Sequence, residues 1–178
     1  MDKPSHQPEN PSQPEPEKVY RLMETNQEAL EAIEQVVGAA QRELRIFDTS
    51  PRALSDRGFG HPARIADLQV LLLGTREHRM RIVLHDTQGM ESTLPRLMDL
   101  LTRFSGQVHI HRTLGVATEA RDSLIIADSS HFWRKLHVEQ SRSVVTLHDS
   151  AATLALCERF EEIWENSEIA VASRTLGL

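Results

Sequence analysis

Residues 121–137 read RDSLIIADSSHFWRKLH. The run Ser123–Ala127 is apolar, rich in β-branched side chains and too short for a stable helix, which predicts a buried strand. Asp128, Ser129 and Ser130 are turn formers. His131–Leu136 then resumes as a second strand, in which Phe132 and Trp133 point to opposite faces. A turn this short joins antiparallel neighbours. SVVTL (143–147) follows after another short connection and extends the antiparallel set. The same stretch is crowded with groups that suit an oxyanion: Arg121, Arg134, Lys135 and His137.

Working outward towards the N-terminus, the pattern changes to alternation of helix and strand. Thr25 and Glu28 form a capping-box pair ahead of a helix carrying Leu30, Ile33, Val37 and Ala40. LRIF (44–47) is a short buried strand ending at Asp48. Residues 52–60, charged and glycine-containing, are expected as a loop. Pro62 opens the next helix, with Ile65, Leu68, Leu71 and Leu72 on its apolar stripe. RMRIVLHD (79–86) is a strand, and Leu94, Leu97, Met98, Leu101 and Phe104 mark a third helix. QVHIHRT (107–113) alternates, with Val108 and Ile110 on one face and His109 and His111 on the other. Helical crossovers of this length favour parallel neighbouring strands. Towards the C-terminus, Asp149 or Ser150 caps a last helix carrying Leu156, Phe160, Ile163 and Trp164. The fold class expected is α/β: a mixed β-sheet with helices on both faces.

The totals agree with one domain. The 178 residues are 39% apolar with a net charge of −6, which disfavours broad binding to nucleic acid. One cysteine, Cys157, excludes an internal disulfide and a cysteine-rich zinc site. No apolar run approaches membrane length, and a cytoplasmic protein is expected. Residues 1–18 hold five of the eight prolines and are expected to be a disordered tail, with a single domain over 19–178.

No glycine-rich phosphate loop, nucleophile elbow or zinc-protease helix is present. Open α/β sheets bind ligands beyond the carboxyl ends of their parallel strands. That rule collects Asp48, His85, Asp86 and Arg112, an acid–base–cation set able to hold a phosphate or polarise a water. Each could instead be a turn residue or a helix cap. His109 and His111 could ligate a metal, but no third ligand is identifiable, and a half-exposed sheet face explains them. No metal and no cofactor are assigned.

In order of elements the chain resembles one half of a phospholipase D superfamily domain, over roughly residues 24–168. DSLIIAD (122–128) is similar to the second part of that family's His-x-Lys-x4-Asp signature, WRKLH (133–137) stands where the family often has Gly-Ser-x-Asn, and residues 147–168 resemble its closing helix with Phe160 and Trp164. The chain is also similar to a small bacterial family of phospholipase D-like proteins without an assigned activity. The resemblance implies a histidine that attacks phosphorus, a lysine that holds the phosphate oxygens, an aspartate that orients a histidine, and two such motifs face to face. Carried over by position, only Asp128 matches. Arg121 replaces the histidine and has no lone pair to attack with. Ser123 replaces the lysine, and Arg134, Lys135 and His137 depart from the second signature.

A non-catalytic domain is therefore expected, with a residual anion pocket built from Asp48, His85, Asp86, Arg112, Asp128, Arg134 and His137. Its ligand would be a phosphate or phosphodiester, and one motif copy per chain implies a homodimer. The alternative is an active phosphodiesterase or nuclease using His111 or His137.

Overall fold

The computed structural model describes residues 16–171; of the expected tail over 1–18, residues 1–15 lie outside them. Fifteen elements follow in chain order: β1 (Val19–Met23), α1 (Asn26–Ala39), β2 (Glu43–Asp48), α2 (Pro51–Asp56), α3 (Pro62–Gly74), β3 (Arg79–Leu84), α4 (Met90–Thr93), α5 (Pro95–Arg103), β4 (Val108–Thr113), a 3-10 turn (Gly115–Glu119), β5 (Ser123–Ala127), β6 (His131–Lys135), β7 (Ser143–Leu147), α6 (Ser150–Glu165) and β8 (Ser167–Val171). The strands form one mixed sheet in the order β1-β7-β6-β5-β2-β3-β4-β8. β2, β3 and β4 are parallel, as their helical crossovers require, and β5, β6 and β7 are antiparallel.

Helices cover both faces. On one, α1, α3 and α5 bury Ile33, Val36, Leu68, Leu72, Leu97 and Leu100 against Ile46, Ile82, Ile110 and Trp133 of the sheet. On the other, α6 lays Leu156, Phe160 and Ile163 over Phe47, Val83, Leu124 and Phe132. Phe132 and Trp133 are thus both buried, one in each core, because both sides of β6 are covered. Thr25 and Glu28 make the expected capping box, and Asp149 accepts the N–H of Ala152 at the start of α6.

Several elements are absent from the sequence reading, α4 and the 3-10 turn among them. Residues expected as a loop over 52–60 begin with α2, which Ser50 caps and Pro51 opens. The edge strands β1 and β8 escape the pattern because an edge strand with one exposed side has little apolar signature. They pair antiparallel with β7 and β4. Among the described residues no helix is long and apolar enough to cross a membrane.

Candidate anion-binding site

The carboxyl rim of β2 carries a polar row across four strands. Asp48 ends β2, Ser123 begins β5, Lys135 ends β6 directly opposite Ser123, and Ser143 begins β7, continuing that register. Period-two alternation puts all four on the α1 face. The layer beneath them is the apolar row Ile46, Ile125, Trp133 and Val145.

Asp48 is buried, with two hydrogen bonds on one carboxylate oxygen and an ion-pair contact on the other. Its Oδ1 accepts from the Ser123 hydroxyl at 2.9 Å and from the Thr49 N–H at 2.8 Å. Its Oδ2 lies 3.3 Å from Nε of Arg57, just past the end of α2. The Arg57 guanidinium also sits 4.9 Å from the Trp133 ring centroid, within cation–π range. Lys135 has no ion-pair partner among the described residues. Burial and the neighbouring Arg57 cation push its ammonium pKa down, and Asp48 only partly opposes them.

Above this row lies a cavity of about 510 Å³. Asp48, Arg57 and Lys135 supply its charged floor together with Asp56, and Leu30 and Ile33 of α1 form an apolar wall. Ser143 is 2% exposed, and its hydroxyl has no partner among the described residues. Such a site offers two cations of different character beside two carboxylates, Asp48 paired with Arg57 and Asp56 paired with Arg52.

The seven residues expected to converge are distributed over both faces and both ends of the sheet. Asp128 lies at the opposite end from Asp48, because β5 runs antiparallel to β2; five residues of strand separate the two ends, about 16 Å. There its carboxylate accepts the backbone N–H groups of Gln41, Arg42 and Glu43 at 3.0, 2.8 and 3.0 Å. It stitches the start of β2 to the end of β5. His85 is on the α6 face, edge-on to Phe47. Its Nε2–H donates to the Ala120 carbonyl at 2.8 Å, so Nδ1 accepts from the Thr113 hydroxyl at 2.9 Å. Both ring nitrogens are used, leaving no lone pair for chemistry. Asp86 is exposed and accepts the N–H of Gln88 at 2.9 Å, a turn role. Arg112 is half-exposed and pairs with Glu168 of β8 at 2.5 Å.

Arg134 faces α6. It pairs at 3.1 Å with Asp122, which is 3% exposed on its side chain. Arg159 of α6 grips the same carboxylate twice, at 2.9 and 2.6 Å. Burial would raise the Asp122 pKa, but the two guanidinium groups outweigh it and hold the carboxyl low. His137 lies just past β6, and its Nδ1 is buried without a partner among the described residues. His111 stacks on Trp164 at 3.8 Å and bonds the Ser167 hydroxyl through Nδ1 at 2.8 Å. Of the seven, only Asp48 belongs to the cavity. Its companion Arg57 carries no motif signal, whereas Lys135 could have been singled out: after Lys18 it is the next and last lysine in the chain.

A mixed eight-stranded sheet with this helix arrangement is a phospholipase D-like fold. Nuc from Salmonella typhimurium, a phospholipase D family member, is similar at 12% identity over 88% of this chain and 100% of that one, with a TM-score of 0.61. NucT from Helicobacter pylori matches over 86% and 99% at 10% identity and TM-score 0.57. TrmBL2, an archaeal chromatin protein with a described mode of DNA binding, matches at 16% identity and TM-score 0.60 over 85% of this chain and 54% of its own, so the chain spans about half of it. These identities show a shared fold and nothing finer. The chain belongs to the family described as Domain of unknown function (DUF7931), whose model matches residues 25–176. No curated protein matches the sequence.

Proposed function

We propose that this chain is a non-catalytic domain on a phospholipase D-like fold that binds a phosphate-type anion in the cavity over Asp48, Arg57 and Lys135, and that it works as a homodimer. One observation carries the reading. At the position of the family's lysine stands Ser123, wholly buried, with its hydroxyl committed to Asp48. No cation projects from that position, and Arg121, at the position of the histidine, cannot attack phosphorus. The cations that remain at the rim, Arg57 and Lys135, suit binding more than bond cleavage.

Two measurements test it. Purified protein should show no phosphodiesterase, nuclease or phospholipase turnover above background. Inorganic phosphate should raise the melting temperature in a concentration-dependent way. Absence of any phosphate effect would remove the anion site.

One observation favours the second reading, an active phosphodiesterase. The Val138 N–H donates to the Arg121 carbonyl at 3.0 Å. Lys135 stands opposite Ser123 in the β5–β6 register, and this bond, one residue out of that register, brings the segment containing His137 alongside Arg121. Turnover abolished by His137→Ala with folding intact would establish that reading. The DNA-binding relative keeps nucleic acid among the ligands to be tested, although the net charge of −6 counts against it.

A further inference from the structure

We propose that Lys135 is a carbonyl-reactive amine, and that the cavity takes a small aldehyde or ketone bearing a carboxylate or phosphate group. The proposal rests on the reading of the cavity as an anion site and names the chemistry of what enters it.

The sequence supplies the first observation. The chain has three lysines, Lys3, Lys18 and Lys135, and its 20 basic residues are otherwise 17 arginines (20 − 3). Beyond Lys18 every other cation is a guanidinium, which stays protonated at any working pH. Lys135 is thus the one side-chain amine of the folded sheet, and it stands in a cavity of about 510 Å³.

Geometry supplies the second. Lys135 sits directly across from Ser123, between two strands whose serines are both buried. The carboxylate that would pair with an ammonium here, Asp48, is already occupied by Arg57, Ser123 and the Thr49 N–H. Facing the amine from the surrounding elements are Arg57 and Asp56 of the α2 segment and Asp48 of β2, while α1 contributes Asn26 and apolar side chains. Burial and the Arg57 charge both favour the neutral amine. A partly desolvated lysine beside a second cation is an arrangement that favours the nucleophilic amine. Arg57 retains N–H donors beyond the Nε that faces Asp48, and these can hold the anionic group of the ligand.

The step balances without an oxidant or reductant. The Nζ lone pair forms a bond to the carbonyl carbon, and the carbonyl oxygen takes up a proton. The resulting carbinolamine expels water and leaves a protonated imine on Lys135.

The test uses glyoxylate as probe with cyanoborohydride to trap the imine near neutral pH, followed by peptide mass mapping of the whole protein. Carboxymethylation should be several-fold faster at Lys135 than at exposed Lys18, and added inorganic phosphate should slow it at Lys135 only. Equal or slower labelling of Lys135 overturns the proposal. Lys135→Arg should lose the adduct, which assigns the label to that amine. Stabilisation by phosphate without selective labelling would leave the anion reading standing and sink the amine. Selective labelling without a phosphate effect would do the reverse.

Discussion

Asp128, which the resemblance aligns with the signature aspartate, serves in the described structure as a tie between strands. Its carboxylate collects three backbone N–H groups, and its own backbone adopts a left-handed φ of 55°. Asp128→Ala should therefore destabilise the fold by about 1–2 kcal/mol, since three N–H groups, one of them partly buried, lose a charged acceptor. Asp128→Asn should cost less, because one amide oxygen remains. Urea denaturation measures both; a negligible loss for alanine would mean that the stitch is dispensable. His131 gives a second prediction. Burial, then the neighbouring His148, lowers its pKa, and Asp128 opposes them in part. A histidine held below its unfolded value of about 6.5 binds fewer protons folded than unfolded. Its contribution is then present above that value and is lost as pH falls towards the folded pKa. His111 shifts the same way, chiefly through burial. Stability measured by urea should fall between neutral pH and the mildly acid range, and less steeply in His131→Gln. A flat profile over that window would contradict the assignment.

At the scale of elements, α6 is held by charge as well as by its apolar stripe. Glu43 of β2 is 7% exposed and lies 2.6, 2.9 and 2.9 Å from Arg45, Arg79 and Arg81. Arg81 also grips Glu161 of α6 through two hydrogen bonds at 2.7 and 2.6 Å. Glu43→Ala strips one carboxylate from three guanidinium groups, two of them largely buried, and should cost about 3 kcal/mol, at the low end for a buried pair because Glu161 still reaches Arg45 and Arg81. The half-exposed Arg112–Glu168 pair marks the other extreme, and Arg112→Ala should cost only ~0–1 kcal/mol. Arg134→Ala falls between them, because Arg159 still holds Asp122. Equal losses for the three variants would contradict this ranking. The same elements show what the pattern could reveal. Helices α1, α3 and α6 announce themselves through caps and 3.6-residue stripes, and β2 to β7 through apolar runs. α2 does not, because six residues bearing Arg52 and Asp56 look like any charged loop until Ser50 and Pro51 are recognised as its start.

At the scale of the molecule, the fold exposes two sheet edges, and β1 carries Tyr20 and Leu22 at 71% and 53% exposure. The homodimer proposed above would pair two chains about a two-fold axis. Light scattering should then give about twice the chain mass of 20.2 kDa; a concentration-independent monomer would end the paired-site argument. Limited proteolysis should trim the proline-rich residues 1–18 and leave melting unchanged. Protection of that segment would mean that it packs on the domain or on a partner.

The sequence by itself determined the fold class, the helical crossovers and antiparallel hairpins, and the absence of a usable histidine–lysine pair at residues 121 and 123. Those features are local: they depend on periodicity, on turn chemistry and on which side chains can act as nucleophiles. Which charged residues meet was decided only by the tertiary structure. Asp48 and Asp128 both end strands, yet opposite strand directions place them at opposite rims. Arg134 and Lys135 are adjacent in sequence, yet the pleat sends one to Asp122 under α6 and the other to the cavity under α1. Strand polarity and side-chain alternation convert neighbours in the chain into residents of different faces, and pairing across β2, β5, β6 and β7 assembles Asp48, Ser123, Lys135 and Ser143 from four separate segments.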